Sequence, residues 1–111
     1  MKNETQNCYE TAEQCLFTRF ETESEGSFLL PYSGLLFARL TPATAEDILT
    51  LIYVTHTVTI MGSTLSALLQ IIQQGRAETI RKAGNPANKS LNTPAISEIQ
   101  ITEGSAENKT T

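Results

Sequence analysis

The stretch that decides the fold reads Ile48-Leu49-Thr50-Leu51-Ile52-Tyr53-Val54-Thr55-His56-Thr57-Val58-Thr59-Ile60-Met61, and Gly62 ends it. It has no Gly or Pro and is dense in Ile, Val, Thr and Tyr, whose branched or aromatic side chains favour the extended backbone. One alternating set (Ile48, Thr50, Ile52, Val54, His56, Val58, Ile60) is apolar nearly throughout. The other (Leu49, Leu51, Tyr53, Thr55, Thr57, Thr59, Met61) is apolar at its start and hydroxyl-rich later. Either one long bent strand or two strands broken near Thr55-His56-Thr57 satisfies this pattern. The preferred reading is a strand buried on one face throughout and on both faces at its beginning.

Towards the C-terminus, Ser63 is a good helix N-cap, and Leu65, Leu68, Leu69 and Ile72 fall on one stripe at helical spacing. Gly75 stands where a C′ glycine ends a helix, so the expected helix is Ser63–Gln74. Whether residues 76–81 continue it or form a strand stays open. Residues 82–93 have linker composition, and Ala95-Ile96-Ser97-Glu98-Ile99-Gln100-Ile101 alternates like a short strand.

Towards the N-terminus, Leu35–Leu40, Phe28–Leu30 and Cys15–Phe20 each permit a strand. Gly26 allows a turn, and Pro31 fits an edge or bulge because it lacks a ladder donor. Residues 1–13 are polar and acidic and read as a loose end, 14–102 as one domain, and 103–111 as a polar tail. The expected fold class is α+β: a mainly antiparallel, curved or barrel-like sheet of four to six strands packed by one amphipathic helix. One helix covers one sheet face. Leu49, Leu51, Tyr53, Leu35, Phe37 and Met61 therefore need a further cover, either from curling of the sheet or from a second copy of the chain.

The chain has 111 residues, with 8 Lys+Arg against 12 Asp+Glu, one His, two Cys, no Trp and a net charge of −4. That balance lacks the basic stripe and stacking aromatics of a nucleic-acid binder. No apolar run is long enough to span a membrane, and the N-terminal residues lack the apolar core of a secretory signal, so the expected location is cytoplasmic. Cys8 and Cys15 match no metal-ligand spacing, and no metal or other cofactor is expected.

An enzyme would have to combine Cys8 or Cys15 with His56 and an orienting carboxylate such as Asp47, yet His56 lies between valines on a strand. Glu46 and Asp47 are adjacent and diverge, which does not suit paired acid–base work. The leading expectation is therefore a non-enzymatic domain that self-associates, a dimer first of all, and serves as a binding or assembly module for itself or another protein. The alternative is a small-ligand or anion site lined by Tyr53, His56, Thr57, Gly62, Ser63 and Thr64. It uses the free N–H groups that the Gly62–Thr64 helix start would offer.

Overall fold

In the computed structural model, which describes residues 7–84 and 93–104, the deciding stretch is a hairpin. Strands β5 (Asp47–Tyr53) and β6 (His56–Ser63) pair antiparallel across a turn at Val54–Thr55. Leu51 lies opposite Val58 and Leu49 opposite Ile60, so the positions that join the shared core are odd-numbered on the first arm and even-numbered on the second. Neither alternating set is a face of one strand. The turn exchanges them.

Five further strands flank this hairpin before α1 and β7 are counted in chain order. They are β1 (Tyr9–Thr11), β2 (Phe17–Thr22), β3 (Gly26–Pro31), β4 (Leu35–Thr41) and β8 (Ala95–Glu103). Strand β7 (Ala77–Arg81) follows the helix α1 (Leu65–Gln73). They build two four-stranded sheets, in spatial order β1-β7-β2-β3 and β4-β5-β6-β8. The β2–β7 pair is parallel, and every other pairing among the described residues is antiparallel.

This overturns the expected α+β architecture, a single sheet under a helix. The cover that the helix could not supply comes from the chain's own second sheet. Phe20, Leu30 and Ile80 of the first sheet meet Leu49, Leu51, Tyr53, Val58, Ile60 and Ile96 of the second in one core. The rings of Phe20 and Tyr53 pack edge to face there, 6.1 Å apart and 80° between planes, an arrangement that aromatic quadrupoles favour. Helix α1 adds Leu65, Leu68 and Ile72 to the same core and packs on β4 and β5.

Two segments account for the misjudged sheet count. Residues 76–81 take the strand option as β7, because Gly75, at φ +72°, stops the helix in a left-handed conformation that glycine adopts without strain. Part of the segment read as a loose N-terminus is also structural: Tyr9–Thr11 pairs with β7, and Cys8 is 2% exposed. The Arg81 guanidinium holds that strand. It donates to the Asn7 carbonyl at 3.0 Å and to Glu21 Oε1 at 3.2 Å, and it pairs with the Glu10 carboxylate. The remainder of the expected N-terminal end, residues 1–6, lies outside the described residues, as do 85–92 of the expected linker and 105–111 of the expected tail.

Candidate functional site

The six residues expected to line a ligand site fall into three places. Tyr53 is in the core at 1% exposure, with the Thr18 side chain near its hydroxyl. Burial, followed by the nearby Tyr32, raises its pKa, and Thr18 partly offsets this. Close by, the Thr18 hydroxyl donates to the Ala77 carbonyl at 2.9 Å, and the Ala77 N–H donates to the Tyr32 oxygen at 3.0 Å. These bonds tie β2, β7 and the short Tyr32–Gly34 turn together, so the polar atoms at Tyr53 serve the fold.

His56 and Thr57 begin β6 at the hairpin end. The His56 Nδ1 lies 2.8 Å from Thr55 Oγ1, and its ring sits edge-on to Phe28 at 5.9 Å. Thr57 donates to the Gly104 carbonyl at 2.9 Å, and the Gly104 N–H donates to the Thr55 carbonyl at 2.7 Å. These bonds fasten the end of β8 to the hairpin.

Gly62, Ser63 and Thr64 are at the far end of β6. Seven residues of extended chain separate His56 from Ser63, about 23 Å at roughly 3.3 Å per residue. The two halves of the expected site therefore do not share a pocket. Ser63 is the last residue of β6 rather than the helix cap. The cap is Thr64, in a left-handed conformation at φ 55°. A cleft of about 80 Å³ lies here between Ala43, Ala45, Glu46, Asp47, Ser63 and Thr64. At about 30 Å³ per molecule it suits two waters, well short of the 300 Å³ or more of usual ligand pockets. Among the described residues, the buried Ser63 hydroxyl has no hydrogen-bond partner. The Leu65 N–H at the helix start already donates to Asp47 Oδ2 at 3.3 Å, and an incoming anion would meet the Asp47 and Glu46 carboxylates.

The residues considered for nucleophilic chemistry are no better placed. The Cys8 thiol is buried and donates to the Pro94 carbonyl at 3.4 Å. Burial pushes its pKa up to about 11, against opposing contributions from a backbone hydrogen bond and Arg81. It is thus a poor thiolate source near neutral pH. Among the described residues, no group of three or more His, Cys, Asp and Glu side chains is placed to hold a metal ion. No helix among them is long and apolar enough to cross a membrane.

What the sequence reading missed is on the outside. The large hydrophobic side chains exposed on the described surface are Leu16, Phe17, Leu29, Leu36, Phe37 and Val54. Leu16, Phe17, Leu36 and Val54 lie beside the Tyr32–Gly34 turn that carries the chain from β3 to β4, while Leu29 lies opposite Arg19 in one sheet and Phe37 opposite Ile52 in the other. Phe17 pairs with Pro31, and the Leu16 carbonyl accepts from the Tyr32 N–H at 2.9 Å. The Val54 N–H donates to the Gly34 carbonyl at 2.8 Å, and Leu36 and Phe37 follow the turn directly. Beside this patch a groove of about 430 Å³ runs between Cys15, Leu16, Phe17, Arg19, Leu29 and Glu78. The available signal was parity: Phe17 and Leu29 are apolar at positions whose strand neighbours Thr18 and Leu30 face the core.

Compared with protein-family models, with curated proteins and with solved structures, the chain matches none.

Proposed function

We propose that this chain is a non-catalytic β module that works by protein association, first of all with another copy of itself, through the apolar end around Tyr32–Gly34. The observation that supports this reading is the exposure of Leu16, Phe17, Leu36 and Val54 beside that turn, with Leu29 and Phe37 exposed on the adjoining strands. Exposed apolar residues scattered singly need no explanation, but a contiguous patch does. The ground for association differs from the one expected at the outset, since the inner sheet faces are satisfied within the chain.

The energetics set the strength. Fully burying one such side chain contributes about 1.5–3 kcal/mol, and all but Leu16 are already about half-buried. Two copies of the patch thus supply on the order of 10 kcal/mol, against an association cost of about 4–15 kcal/mol. The module is a weak self-associator, with half-association at micromolar concentration or above.

Native mass spectrometry across a concentration series tests this. The expected result is growth of a species at twice the chain's 12.2 kDa, lost in Phe17→Asp/Leu29→Asp while the circular dichroism spectrum stays unchanged. A chain that remains monomeric at 100 times a micromolar concentration, or a dimer indifferent to these changes, would sink the reading.

A further inference from the structure

We infer that the second copy joins through β4, pairing antiparallel with β4 of the first about a two-fold axis at Ala38, so that two four-stranded sheets become one of eight; this rests on the self-association proposed above. The edge strands of the two sheets are β1 and β3, and β4 and β8. An exposed edge carries unpaired backbone N–H and C=O groups, and natural sheets protect it with brevity, proline or charge. Three of these edges are protected in this way. Strand β1 has 3 residues and carries Glu10. Strand β3 ends on Pro31, which has no N–H to offer. Strand β8 presents Glu98 and Glu103, which two copies of an acidic chain would bring towards each other.

Strand β4 is less protected: its one charge is Arg39, and its register shift lies at the turn end, between Leu35 and Phe37. Its seven residues, Leu35-Leu36-Phe37-Ala38-Arg39-Leu40-Thr41, include no Gly, Pro, Lys or acid. Leu36 and Phe37, both exposed, lie on it at the apolar end. Charge then selects the register. Arg39 is the one charged residue of β4, and a register that set it opposite its own copy would place like charges face to face. Pairing centred on Ala38 sets Arg39 opposite Phe37 of the second copy, where a guanidinium can lie on a ring.

Phe37→Cys and Arg39→Cys proteins, each made in a Cys15→Ser background with the buried Cys8 retained, test this when mixed under mild oxidation. The expected result is rapid disulfide formation between the two different variants and at least tenfold less within either alone. On the unaltered chain, amide hydrogen exchange within β4 should slow as concentration rises through the dimer range. A dimer whose β4 exchange is unaffected, or whose variants cross-link only with themselves, would overturn the β4 pairing and leave association by another face. A chain that stays monomeric at every concentration would overturn both.

Discussion

At Gly62 a single hydrogen atom in place of a side chain decides whether two strands can meet. A Cβ there would lie 1.9 Å from the Ala95 carbonyl oxygen, 2.9 Å from its carbon and 3.0 Å from Ile96 Cα. All three are backbone atoms, so no rotamer change can make room. The register between β6 and β8 shifts between Met61 and Gly62, and the bulge and the close approach are one feature. Gly62→Ala is expected to cost at least about 2 kcal/mol of stability as overpacking, read as a lower urea midpoint. The sequence showed Gly62 as the end of a strand before a helix. Its contact with a residue 33 positions later was not legible, because single-sequence patterns carry no information about which distant backbone arrives. Cys8 offers a second test at this scale. Its folded pKa, about 11, lies above the ordinary 9.0. Between those values the unfolded chain loses the thiol proton while the folded chain keeps it, so stability falls as pH rises through this window. Denaturation midpoints at pH 8 and pH 10 should show that loss, and Cys8→Ala should diminish it. The buried Tyr32 and Tyr53, both raised, add a loss of the same sign at still higher pH.

Among the elements, the hairpin and β1 show where local patterns succeed and fail. The break near Thr55-His56-Thr57 was one of the two readings the residues allowed. The missing information was the turn length: two intervening residues reverse the chain and exchange odd for even parity, which makes an apolar set of Ile48, Ile52, Val58 and Ile60 look like a face that does not exist. The helix was legible to within two residues because its stripe and Gly75 are local signals. Strand β1 was not, since Tyr9-Glu10-Thr11 has no pattern of its own and depends on Arg81, more than 60 residues away. The Arg81 side chain is 13% exposed and ties Asn7, Glu10 and Glu21 together. Hydrogen bonds of this charged kind contribute about 1.5–3 kcal/mol. Arg81→Gln should therefore release β1 without unfolding the rest, raising amide exchange at Tyr9 and Glu10 about tenfold or more while exchange at Leu51 and Val58 stays slow.

For the whole molecule, the chain solves internally the covering problem that its composition poses. Counting one amphipathic helix against two apolar strand faces pointed to a curled sheet or a second copy as the further cover, but the cover is a second sheet of the same chain. Two of its strands, β2 and β3, were legible as local patterns, but β1 and β7 were not, and no single window shows that β7 inserts between β1 and β2. The candidate site was legible only in its parts. Tyr53, His56 and Ser63 have the chemistry of a pocket, yet the fold places the first in the core and the other two at opposite ends of β6. The apolar end, by contrast, exists only after folding, when Leu16, Phe17 and Val54 are brought beside the Tyr32–Gly34 turn. Its expected dimer is a property of the assembled surface, which is why the Phe17 and Leu29 changes should alter mass and leave the fold intact.

The spatial order β1-β7-β2-β3 also bears on the chain as it is being made. Strands β4, β5 and β6 are sequential neighbours and can close as a meander once residue 63 has emerged. The N-terminal strand, synthesised first, has β7 as its sheet neighbour and must wait for Ala77–Arg81. Growth from the ribosome thus completes the second sheet's centre before the first sheet's, and β1, made before the other described strands, is among the last of them to find a partner.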